Sequence, residues 1–237
     1  MQPSCRSSAG GSARSPLFLF GCRGSGLLIV PERPGRIRID AAIKAFLKRI
    51  GKDLICAKLE PKLRKKGDGL MRIGLVSDTH LGASASKLPD ALVEGLRGVD
   101  YILHAGDWTH PRVAGLLEDI APVDGVAGNN DGPELVRRYG RRKLIELAGC
   151  RIGIVHGDLG QGRWTEQKAR SNFPDEGVGL ILFGHSHAPY SKREGDLLLF
   201  NPGSPVQKRR QPRYSYGILE LSGGRMHAEH RYYDDRS

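Results

Sequence analysis

The chain has 237 residues, 39% of them hydrophobic and 27% charged, with a formal net charge of +11. That length holds one sizeable domain, with or without an appendage. The composition is that of a soluble globular protein, and no run approaches the ~18 consecutive apolar residues that a membrane span needs.

The charge is unevenly spread. Residues 1–70 carry 15 Lys and Arg against 5 Asp and Glu, whereas residues 71–237 carry 22 against 21. The basicity that would suggest nucleic acid belongs to the first segment, so nucleic acid is not expected as a partner of 71–237. Cys5, Cys22 and Cys56 precede residue 71 and Cys150 alone follows it. With no CxxC pair, neither a sulfur metal site nor a disulfide framework is indicated. A cytoplasmic location is the simplest expectation.

Residues 1–35 are rich in Ser, Gly, Arg and Pro, and their apolar runs at 17–20 and 27–30 are too short for a secretory core. Leu19-Phe20-Gly21-Cys22 faintly resembles a lipoprotein cleavage box, but the bulky Phe20 argues against one. Residues 40–59 have helical spacing. Ile43, Phe46, Leu47, Ile50 and Leu54 recur on one face, with Lys44, Lys48, Arg49 and Lys52 between them. Pro61 ends the pattern, and a basic linker leads to Met71. One reading is a basic amphipathic helix for an anionic surface. The favoured reading makes residues 1–70 a disordered extension, or translated sequence upstream of a true start at Met71. Residues 71–237 then form the functional domain.

From Met71 the pattern changes. Strands are predicted over 71–77, 99–105 and 123–127, alternating with helices over 88–96, 111–119 and 133–139. This rhythm implies an α/β domain with a largely parallel first sheet. A hairpin is predicted over 143–155, a helix over 164–172 and a buried strand over 179–183. Further strands between 197 and 232 suggest a second sheet packed on the first.

The informative polar residues follow strand ends. They are Ser77-Asp78-Thr79-His80, Gly106-Asp107, Gly128-Asn129-Asn130-Asp131, His156-Gly157-Asp158 and Gly184-His185-Ser186-His187. Ligands of α/β sheets bind in the crevice outside the carboxyl ends of the strands. Each piece has a plain alternative as a turn, a cap or a core histidine. Together they supply what two divalent ions about 3.5–4 Å apart require: carboxylate to neutralise charge and bridge, and imidazole and amide oxygen to complete the shells. Glycine beside each ligand permits sharp turns.

This order of motifs resembles the calcineurin-like metallophosphoesterase superfamily over essentially all of 71–237. Gly128-Asn129-x-Asp131 and Asn201-Pro202-Gly203-Ser204 are similar to its YfcE-like phosphodiesterase branch. The resemblance implies a four-layer fold, a two-sheet β-sandwich flanked by helices. It implies Asp78, His80 and His187 on one metal, Asn129, His156 and His185 on the other, and Asp107 bridging both. Manganese is favoured, with nickel, iron, zinc or magnesium as alternatives. The implied reaction is hydrolysis of a small phosphate ester, a phosphodiester before a monoester, by a hydroxide shared between the metals, with Asp107, Asn129 and His156 at its centre. His104 and Asp131 are placed behind the ligands, each as a partner of a ligand histidine, with a core histidine and a turn carboxylate as the alternatives. Asn201 and Ser204 are read as shaping a nearby turn. One departure stands out: where many members of the superfamily carry a histidine that contacts phosphate, this chain has Asn130. His110 is a spare general acid. A protein-interaction scaffold of the same fold and a nuclease recruited by the basic segment are the alternatives, and a homo-oligomer is compatible with the sequence.

Overall fold

The computed structural model describes residues 69–84 and 86–236. The expected helix over 40–59 and the basic segment around it lie outside the described residues. The elements, in chain order, are β1 (Met71–Val76), α1 (Asp90–Gly95), β2 (Tyr101–His104), α2 (Arg112–Glu118), β3 (Val123–Gly125), α3 (Pro133–Tyr139), β4 (Arg142–Leu147), β5 (Cys150–Val155), α4 (Thr165–Ser171), β6 (Leu180–Leu182), β7 (Tyr190–Glu194), β8 (Leu197–Asn201), β9 (Tyr214–Ser222) and β10 (Arg225–Tyr233).

The strands form two five-stranded sheets, ordered β10-β9-β1-β2-β3 and β4-β5-β6-β8-β7. In the first, β1, β2 and β3 run parallel, and β9 and β10 add an antiparallel flank. In the second, β5, β6 and β8 are parallel between the antiparallel edge strands β4 and β7. The β4–β5 hairpin turns at Ala148 and Gly149, both at positive φ, as a tight two-residue hairpin requires.

Side-chain alternation builds the layers. Ile73, Leu75, Leu103, Leu219 and Leu221 of the first sheet meet Ile152, Ile154, Leu180, Leu182 and Phe200 of the second in one buried cluster. The opposite face of the first sheet, through Val76, Ile102 and Ile218, packs on Leu92, Val113, Leu117 and Leu135 of α1, α2 and α3. The outer face of the second, through Val155, Ile181 and Leu199, packs on Ala169 of α4 and on Phe173. The central strands are thus buried on both faces, which is why they read as continuous apolar runs. The result is the four-layer sandwich with flanking helices.

The C-terminal strands divide differently from the expectation. β8 joins the second sheet, whereas β9 and β10 complete the first. β9 buries Leu219 and Leu221 toward the sandwich and Tyr216 and Ile218 toward the helices, so its apolar pattern suits either sheet. The sequence reading also passed over β7. Four of its five residues are exposed. Its Lys192, Arg193 and Glu194 belong to a charged edge strand that blunts unwanted pairing and carries no apolar stripe.

Candidate metal centre

The carboxyl ends of β1, β2 and β3 lie at one edge of the first sheet, facing those of β5 and β6 in the second. Backbone hydrogen bonds tie the loops together: Asp78 N–H donates to Gly106 O at 2.9 Å, His80 N–H to Asp107 O at 3.1 Å and Gly184 N–H to His156 O at 2.9 Å. The two sheets are joined where His185 N–H donates to Asp78 Oδ2 at 3.0 Å.

The close approach depends on glycine. A Cβ on Gly184 would lie 1.8 Å from Ser77 Oγ and 2.6 Å from Asp78 Oδ2, and one on Gly128 would lie 2.1 Å from Asp107 Oδ1. The ligand loops are also strained. Asp78, His80, Asp107, Thr109, His185 and His187 all have φ between 44° and 74°, a region that non-glycine residues occupy at a cost of roughly 1–3 kcal/mol each, which the surrounding structure must offset.

Donor atoms converge at this edge. His80 Nε2 is 3.1 Å from His187 Nε2 and 3.4 Å from Asp107 Oδ2. His187 Nε2 is 3.3 Å from Asp78 Oδ1, and His156 Nε2 is 3.3 Å from Asp107 Oδ2. His185 Nδ1 and Asn129 Oδ1 are 3.0 Å apart, and the His185 ring stands edge-on to that of His156. Asp78, His80 and His187 form one group able to hold a cation, and Asp78, Asp107 and His156 another. Asp78 belongs to both groups and Asp107 to the second.

The tautomers point the same way. His156 Nδ1–H donates to Ala105 O at 2.8 Å and His187 Nδ1–H to Gln207 O at 2.5 Å. Each ring therefore turns its Nε2 inward, the arrangement usual for metal-binding histidines. Among the described residues, Asp78 Oδ1 and His156 Nε2 are buried with no well-formed hydrogen bond, each only facing an ionisable group at 3.3 Å. Native interiors rarely leave such atoms unmatched. Ligands about 2.1 Å from one ion stand ~3.0–3.4 Å apart, close to the separations seen here. The residues fit a metal centre of nitrogen and oxygen donors.

The electrostatics are consistent. Burial alone would raise the Asp78 carboxyl, but the surrounding rings of His80, His156 and His187 win and lower it. Burial likewise acts to raise Asp107, and is overcome by His156 and by Asn130, which holds both its oxygens: N–H to Oδ1 at 2.8 Å and Nδ2 to Oδ2 at 2.6 Å. His156 is raised, its burial outweighed by the two carboxylates. His185 and His187 are lowered, chiefly by burial.

The residues behind this cluster have distinct tasks. His104 is wholly buried, accepts Gly106 N–H at Nδ1, contacts Thr79 Oγ1 through Nε2 and stacks on Trp108. Burial pushes its pKa down to about 3, so it is a neutral brace. Asp131 does not meet a histidine, contrary to the expected role. Its carboxylate accepts backbone N–H bonds from Asp107 (2.9 Å), Gly128 (2.7 Å) and Thr109 (2.7 Å). Burial raises its pKa against the pull of those donors. Asn201 Nδ2 donates to Gly184 O, and Ser204 Oγ donates to Asp78 O at 2.7 Å, so both brace ligand loops. His110 accepts Arg112 N–H at the entry to α2.

The sequence reading missed Arg141. Its guanidinium joins Gly128 O to the Asp158 carboxylate, holding the turn that carries Asn129. Its place in Gly140-Arg141-Arg142 gave no signal, because the contact spans two sheets.

The description of the calcineurin-like phosphoesterase superfamily domain fits residues 71–224. The chain belongs to this superfamily. A probable metallophosphoesterase of Methanothermobacter thermautotrophicus is 38% identical over 164 residues, covering 67% of this chain and 91% of that protein. The solution structure of a Thermotoga maritima protein is 30% identical with a TM-score of 0.53, over 69% of this chain and 99% of that one. Vps29 of Entamoeba histolytica, at 19% identity and a TM-score of 0.56, matches over 69% of this chain and 99% of its own and shares the fold. Among the described residues, no helix is long and apolar enough to cross a membrane.

Proposed function

We propose that residues 71–237 form a metal-dependent phosphoesterase that acts on phosphodiesters in preference to monoesters. The observation that supports this reading most is the pair of buried ligand atoms that lack a well-formed hydrogen bond among the described residues, Asp78 Oδ1 and His156 Nε2, clustered with His80, His187 and Asp107. Asp78, His80 and His187 would hold one divalent ion and Asn129, His156 and His185 a second, with Asp107 between them. The absence of sulfur and the mixture of imidazole, carboxylate and amide favour manganese. Bound there, the ions would supply a nucleophile from water at neutral pH and neutralise charge on the phosphate.

The chain's own residues set the limits of the chemistry. Asn130 fixes the Asp107 carboxylate by two hydrogen bonds, so the bridging group cannot rotate. An amide cannot donate a proton to a leaving group, and general acid catalysis is worth ~10²–10⁴ in rate. His110 is engaged at a helix entry. Turnover is therefore expected to favour esters with acidic leaving groups, with alkyl esters slow.

The test is the full chain stripped with chelator and reloaded with single metals. It is assayed on bis(p-nitrophenyl) phosphate, p-nitrophenyl phosphate and an alkyl diester, with Asp107→Ala and His185→Ala as controls. Activity that survives chelation, or both substitutions, would sink the two-metal reading.

A further inference from the structure

We propose that Arg209 and Arg210 form an anion subsite beside His187, and that the substrate carries a second phosphate beyond the one hydrolysed. This rests on the phosphoesterase reading of the same centre.

The loop after β8 is pinned to the centre at two points, by Ser204 Oγ on Asp78 O and by the Gln207 carbonyl under His187 Nδ1. Four cations follow: Lys208, Arg209, Arg210 and Arg213. Two are committed to the fold. Lys208 Nζ donates to Pro212 O, and Arg213 pairs with Asp234 and donates to Tyr232 O. Arg209 and Arg210 are exposed and form no hydrogen bond or ion pair among the described residues. They are the central residues of a turn closed by Gln211 N–H on Lys208 O at 2.8 Å, with Arg209 at φ 49°. The turn therefore displays them together. Because the Gln207 carbonyl sits on His187 Nδ1 and Arg209 follows only two residues later, the turn stands at the rim of the centre.

Unpaired guanidinium groups at the rim of a phosphate site suit a second phosphate, which they can grip through paired N–H bonds. The organic part of such a substrate has room nearby. An open groove of about 370 Å³, lined by Pro189, Gln211, Pro212, Arg213 and Tyr232, adjoins the turn at Gln211.

The experiment uses the manganese-loaded full chain and two probes that differ by one phosphate: thymidine 5′-(p-nitrophenyl phosphate) and its 3′-phosphorylated form. The native protein is expected to favour the 3′-phosphorylated probe in kcat/KM by roughly tenfold or more. R209A/R210A should abolish that ratio, R209K/R210K should keep part of it, and added salt should shrink it. A native ratio within twofold of unity, or an undiminished ratio in R209A/R210A, overturns the subsite. Calorimetric titration with thymidine 3′,5′-bisphosphate separates the two proposals. Without turnover on either probe, weaker binding by R209A/R210A keeps the subsite and removes the phosphoesterase reading, whereas equal binding removes the subsite.

Discussion

Asp131→Asn tests how the ligand loops are held. The native carboxylate takes three backbone N–H bonds of 2.7–2.9 Å, from Asp107, Gly128 and Thr109. An asparagine can keep its oxygen under Asp107 and Gly128, but its amide then faces the Thr109 N–H, donor against donor. Losing one charge-assisted bond costs ~1.5–3 kcal/mol; Thr109 is exposed, so water can take its freed N–H. Asp107 and Thr109 sit at φ 58° and 74°, and these bonds help to hold them there, so part of the loss appears as a relaxed Asp107. Stability should fall by about 1.5–3 kcal/mol. Metal affinity should fall about 10–100-fold, as when groups that orient ligands are removed. Chemical denaturation of the metal-free protein reads the first, and competition with a fluorescent chelator reads the second. Native-like metal affinity in a variant that has lost stability would refute the view that Asp131 acts through the position of Asp107.

Gly184→Ala places a methyl 1.8 Å from Ser77 Oγ. It should cost ~1–3 kcal/mol or more by overpacking and abolish metal binding, because Asp78 must move; calorimetric titration with manganese checks this. His104 gives a pH dependence. Its folded pKa of about 3 lies below the ordinary 6.5, so the unfolded chain takes up the proton first. Its contribution is intact above about pH 6.5 and declines as pH falls toward 3, by up to ~1.4 kcal/mol per pH unit. Denaturation of metal-free protein at pH 7 and pH 5 should show a smaller acid loss in His104→Gln than in the native chain. Equal losses would show that His104 is not the source.

Much of the architecture was legible because buried strands and strand-end motifs are local signals. Three parallel β–α steps, the Ala148-Gly149 hairpin and the Gly-flanked Asp, Asn and His positions each occupy a few consecutive residues. The partition of the last strands was not legible. β9 is apolar on both faces, and only its pairing with Leu75, Ile73 and Met71 assigns it to the first sheet. β7 was invisible because its side chains are charged and exposed.

The sequence by itself determined which residues could serve a metal centre, since their types and their glycine neighbours are written in short motifs. Only the tertiary structure decided how they are aimed. The Nε2 atoms of His156 and His187 turn inward because carbonyls of Ala105 and Gln207, 51 and 20 residues away, take their other nitrogen. Asp131 serves the backbone instead of a ring, and Arg141 bridges two sheets to hold the turn of Asn129. Such contacts join residues far apart in the chain. They follow from packing one sheet against another, which no local pattern encodes.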